Sequence, residues 1–184
     1  MIKRILQASI NKFPDLILLR TRSEEVDCYN SLSIHCLIED LKDTCRSVDI
    51  AVGLAAVQIG VPARIFVIST DRLHAADRSA QPCAEEMLVI INPVLVRSSK
   101  STERQMESCL SILNYEGEVK RAKRIKINYK TVDGISKTIS AGGLLARVIL
   151  HEIDHLDGVL YSDKLVAGSS LIPVLMEGWL AVDR

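Results

Sequence analysis

Gly143-Leu144-Leu145-Ala146-Arg147-Val148-Ile149-Leu150-His151-Glu152-Ile153-Asp154-His155-Leu156-Asp157-Gly158 is the stretch on which the reading of this chain turns. The sequence predicts a helix from about Gly143 to Asp157, stopped by Gly158. Within it, His151 and His155 stand four residues apart with Glu152 beside the first, the H-E-x-x-H pattern. Residues at that spacing stack on one helical face, so both imidazoles can reach one ion while Glu152 leans over its open coordination position. Leu144 and Val148 fall on the same face. The histidines therefore share a largely apolar surface, where they need partners.

Two histidines do not complete a hydrolytic centre, which usually takes three protein ligands plus water. Cys109 is the best candidate for the third, because a thiolate binds borderline-soft metals well and Glu107 nearby can supply an orienting carboxylate, with Arg121 as its partner. Cys28, Cys36, Cys45 and Cys83 read instead as small apolar fillers or solvent-facing thiols.

Outward from this helix, Ile34, Leu37, Ile38, Leu41, Cys45 and Val48 recur at intervals of three and four, predicting an amphipathic helix over residues 31–48. Arg64 to Ser69 and Leu88 to Asn92 read as short apolar strands. The polar stretch between them, roughly Asp71 to Glu86, reads as a surface loop. From Glu118 to Ser140 the pattern alternates, with Asp133-Gly134 as a hairpin turn. Leu171 to Val182 is apolar enough for a helix that Pro173 and Gly178 would shorten, with Trp179 capping the core or forming a contact. No internal repeat or low-complexity segment is visible.

The 184 residues, 48% of them apolar, suit one compact domain spanning 1–184. Lys plus Arg and Asp plus Glu each count 23, so no overall field favours nucleic acid, an anionic membrane or an acidic substrate. The N-terminal segment lacks the continuous apolar core of a signal peptide, and no apolar run is long enough to span a bilayer. Five cysteines in such a chain argue for reduced thiols in a cytoplasm-like compartment. The stretch between Gly53 and Gly60 lacks the Lys and Ser or Thr of a phosphate loop.

Three segments, in order, carry a family likeness: Gly53-Leu54-Ala55-Ala56-Val57-Gln58, Glu107-Ser108-Cys109-Leu110-Ser111 and His151-Glu152-Ile153-Asp154-His155-Leu156-Asp157-Gly158. The chain thereby resembles the peptide deformylases, whose patterns are G-x-G-L-A-A-x-Q, E-G-C-L-S and Q-H-E-x-D-H-L-x-G. The resemblance implies an α+β fold in which a central helix bearing the H-E-x-x-H pair is enclosed by short mixed or antiparallel strands. It also implies removal of the formyl group from formyl-methionine at the start of nascent proteins.

By the same likeness Cys109, His151 and His155 would hold one divalent ion, iron(II) natively and zinc or nickel in many preparations. Glu152 would be the general base, and Gln58 with the backbone N–H of Leu110 would stabilise the developing oxyanion. Backbone groups of Val52, Gly53 and Ser108 would hold the substrate as an added strand. Leu144 and Val148 could line an apolar slot for the methionine side chain. The expected partners are N-formylmethionyl nascent peptides, with proximity to the ribosome and neither direct nucleic-acid nor membrane binding. The expected compartment is the cytoplasm of a bacterial-type cell or an organelle.

Three positions depart from the family pattern: Ala51 and Ser108 replace glycines, and Leu150 replaces the glutamine before His151. Alanine at position 51 would be strained if that backbone needs a positive φ. These departures leave room for an alternative, a deformylase-like metal protein with lost or altered turnover acting as a binding module. Two further readings are an ordinary H-E-x-x-H metallopeptidase, whose third ligand would lie elsewhere, and a purely structural zinc domain.

Overall fold

The computed structural model describes residues 1–77 and 86–174. An N-terminal segment leads into α1 (Phe13–Leu19), and the amphipathic helix α2 follows at Leu32–Arg46. Ser31 caps α2 by accepting the Ile34 N–H, and Leu37, Ile38, Leu41 and Cys45 turn inward, as their spacing predicts.

Five strands form an antiparallel sheet in the order β1 (Gly53–Ala55), β2 (Ile65–Ser69), β3 (Met87–Ser98), β6 (Arg124–Lys130) and β7 (Ser136–Gly142). A second antiparallel sheet contains β4 (Thr102–Cys109), β5 (Ile112–Ala122) and the two-residue β8 (Ile172–Pro173). Alternation along β2 explains the layers. Ile65 and Val67 point to the α2 side, whereas Phe66 and Ile68 point to the side packed by Ile149, Ile153 and Leu156 of α4 (Gly143–Leu156). The ligand-bearing helix thus lies against the large sheet on one side, with β5 of the smaller sheet also in contact.

Gly158 ends α4 for two reasons. Its φ is +73°, and a Cβ there would run into the backbone of Arg20. Arg64 seals the same end, donating to Asp157 Oδ1 at 2.7 Å and to the Leu156 carbonyl at 3.3 Å.

Several sequence expectations change. The stretch read as a loop from Asp71 to Glu86 begins as a helix, α3 (Thr70–Ala76), held by buried Leu73; residues 78–85 lie outside the described set. The strand expected at Leu88–Asn92 continues to Ser98 through Pro93, because proline falls at a register shift between Ile91 and Val94, where Asn92 takes a φ of +48°. The alternating stretch resolves into β5, β6 and β7, and the Asp133-Gly134 turn joins the last two, with Gly134 at φ +74°. Polar β4 had no apolar period to reveal it. Ile172 and Pro173 pair as a strand with Tyr115 and Glu116 instead of starting a helix, and Gly178 and Trp179 lie beyond the described residues. Ala51 is unstrained, since positive φ among the described non-glycine residues occurs at Asn92 and Asn114.

Candidate active site

β4 and α4 bring the three sequence-predicted ligands together. The ligand atoms of Cys109, His151 and His155 lie within 4.8 Å of one another, and Cys109 Sγ is 3.2 Å from His155 Nε2. Two soft-to-borderline imidazoles and a thiolate are a donor set that fits a single divalent transition metal. The chain order separates them widely, and the β4–β5 hairpin closes the gap by laying Cys109 beside the helix.

Behind the ligands is a buried ionic network. Glu107 Oε2 lies 3.0 Å from His151 Nδ1, while Arg121 donates from Nε to Oε1 at 2.6 Å and from Nη2 to Oε2 at 2.8 Å. The Arg121 pairing is the one expected from the sequence. Arg121 also donates to Asp154 at 2.7 Å, and Lys164 reaches the other oxygen of that carboxylate at 2.6 Å. Burial opposes the ionised form of Glu107, but hydrogen bonds from Arg121 and His151 hold its carboxyl far below the usual range. It is an acceptor fixed in its charged form.

Glu152 has the opposite environment. Burial pushes its carboxyl up to about 7, against the pull of the His151 and Arg121 charges. Its Oε2 is buried without a protein partner. A Cβ at Gly53 would overlap Glu152 Oε1, so glycine at this point of β1 leaves the carboxylate its place beside the strand. Burial also drives His155 well below its ordinary value, aided by the His151 charge, which keeps the ring neutral. For His151, burial is outweighed by hydrogen bonds to Cys109 and Glu107, so its pKa rises to about 10, and an ion taken up at Nε2 would have to displace a proton there.

Gln58 is buried in the 3₁₀ turn after β1, with its orientation set at both ends of the amide. Its Oε1 accepts the Ala55 N–H at 2.9 Å, and its Nε2 donates to Ser111 Oγ at 3.1 Å and lies 3.6 Å from Cys109 Sγ. The Leu110 N–H has no protein acceptor among the described residues. Val52, Gly53, Gln58, Ser108, Leu110, Leu144 and Val148 all line one cleft together with His151 and Glu152. Every site residue expected from the sequence is therefore in or beside this cleft. Leu150, in contrast, packs toward the core between α4 and the large sheet.

The sequence reading missed Arg147, Asp154, Lys164 and Ser111. Arg147 had a signal available, being a cation one helical turn before His151 on an otherwise apolar surface. Ser111 sat inside a quoted motif. Lys164 had none, because only the turn after α4 carries it back to Asp154.

The family model described as polypeptide deformylase matches residues 7–170. The chain is 37% identical over 164 residues to peptide deformylase 2 of Gloeobacter violaceus, covering 89% of this chain and 82% of the relative. It is 39% identical over 157 residues to a Bartonella tribocorum peptide deformylase, covering 85% and 83%. The crystal structure of a peptide deformylase from Legionella pneumophila superposes with a TM-score of 0.75 at 32% identity, covering 91% of this chain and 88% of that one.

Proposed function

The chain belongs to the polypeptide deformylase family, as an amide hydrolase that removes the N-formyl group from nascent peptides, and on that premise we propose how its residues divide the work. The family implies a single catalytic metal, and Cys109, His151 and His155 are the residues that would hold it. Iron(II) is the proposed native ion, with zinc or nickel able to replace it. When bound, such an ion would supply Lewis acidity, lowering the pKa of a water at the site toward neutrality and polarising the formyl oxygen.

The remaining work falls to protein groups. Glu152, buried and poised near neutrality, takes the proton from the attacking water and delivers it to the leaving amine. Gln58 Nε2 and the Leu110 N–H donate to the oxygen that gains charge as the formyl carbon is attacked, and neither titrates. Oxygen from water ends in formate, while the C–N bond breaks to leave a free N-terminal amine.

The peptide enters as a strand between β1 and β4, which are edges of their sheets. Ser69 already occupies the Val52 carbonyl at 2.8 Å, so on β1 the next residue, Gly53, offers main-chain groups to substrate. Ser108 supplies the β4 side, and Leu144 and Val148 receive the methionine side chain. Main-chain recognition suits an enzyme that accepts many chains emerging from the ribosome, near which it acts in the cytoplasm as one catalytic domain. Among the described residues no helix is long and apolar enough to cross a membrane.

The observation that carries this reading is the convergence of three ligand atoms beside a buried carboxylate whose Oε2 lacks a protein partner. Formate release from formyl-Met-Ala-Ser tests it. Metal-loaded protein should turn over well above a Glu152→Ala control; equal rates in folded, loaded samples would instead favour a metal-holding protein without turnover.

A further inference from the structure

Arg147 has no task in the reaction as set out above, yet it is buried at the foot of the cleft. A guanidinium in such a place is costly unless it is fully paired. From α4 it reaches both long strands of the smaller sheet. Nη1 donates to Glu107 Oε1 at 2.6 Å and to the Val119 carbonyl at 3.1 Å, while Nη2 donates to the Glu103 carbonyl at 2.9 Å.

The consequence lies in Glu107. A carboxylate has two oxygens and about four acceptor positions. Arg121 takes one position on each oxygen, His151 Nδ1 the second on Oε2, and Arg147 the second on Oε1. With Glu107 able only to accept, His151 must bring the hydrogen at Nδ1, which leaves the Nε2 lone pair for an ion. Arg121 alone would hold the carboxylate along one edge, and it is also drawn toward Asp154. Arg147 grips from α4, four residues before His151, and closes the last position.

We propose that Arg147 is a positioning residue of the metal centre: it locks Glu107, and through it the His151 ring, while tying the helix that carries two ligands to the strand that carries Cys109. The inference rests on the ligand set assigned above. Its effect should be visible in how tightly and in what geometry an ion is held, apart from turnover.

Cobalt(II) reports both properties, through its visible bands and a thiolate charge-transfer band. Arg147→Met keeps the apolar stem and removes the fork; it should release cobalt to a chelator about ten-fold faster or more than wild type, with shifted visible bands. Arg147→Lys restores one donor and should fall between the two. In a Glu107→Gln background the Met substitution should add less than about two-fold, because its path runs through the carboxylate.

Unchanged bands and a release rate within about two-fold of wild type would overturn the proposal, as would an Arg147→Met effect that stays fully additive in the Glu107→Gln background. If Arg147→Met does not fold, Arg147→Lys decides, with wild-type release and bands counting against the proposal. A wild type that takes up cobalt without a thiolate band would sink the ligand set itself and this inference with it, a result distinct from a normal wild type beside an unaffected variant.

Discussion

At the residue scale, the site separates two carboxylates by environment. Glu107 is surrounded by cations and stays charged, whereas Glu152 is buried with one oxygen unpaired and titrates near 7. Glu152→Ala should lower kcat by about 10²–10⁴-fold, with KM for formyl-Met peptides changing far less, since the base acts in the chemical step. Steady-state formate assays read both. Cys109→Ser should empty the site or alter its metal preference, measured as metal per chain after anaerobic purification; retention of the wild-type content would move the third ligand elsewhere. These residues were legible because their spacing is chemical. The network behind them was less so, since Arg147 looks like any helix cation until β4 and β5 are laid against it.

At the scale of elements, α4 was readable from the glycine that stops it, and α2 from the three- and four-residue spacing of its apolar side chains. β4 was not, because Thr102 to Ser108 is mostly exposed and polar, and its place comes from pairing with β5 instead of from burial. α3 was hidden for a similar reason: seven residues with one buried leucine leave almost no period. The end of α4 offers a test. Gly158→Ala must adopt a φ of +73° and collide with the Arg20 backbone, so it should cost about 1–3 kcal/mol or more in a urea titration. An unchanged midpoint would mean that the junction relaxes freely.

For the whole molecule, acid stability involves the N-terminal segment. Arg4 grips Asp15 through two bonds of 2.7 Å, and the Gln7 N–H adds a third at 3.0 Å. The Arg4 guanidinium holds the Asp15 carboxyl below its usual range, against the opposing effect of burial. A depressed folded pKa contributes stability that is present above the ordinary carboxylate pKa and lost as pH falls through the folded value. Asp15→Asn should therefore lower the urea midpoint at pH 7, and the gap to wild type should close on acidification below about pH 4. A gap independent of pH would assign the loss to something other than this charge.

The ligands also sit on separate elements, with Cys109 at the end of β4 and both histidines on α4. A refolding chain thus has no catalytic centre until strands, helix and hairpin from distant stretches have all docked, and local structure formed early contributes nothing to it. Recovered turnover after dilution from denaturant should lag the return of helical circular dichroism and coincide with the last step of assembly, which makes the enzyme's own activity a clock for its folding.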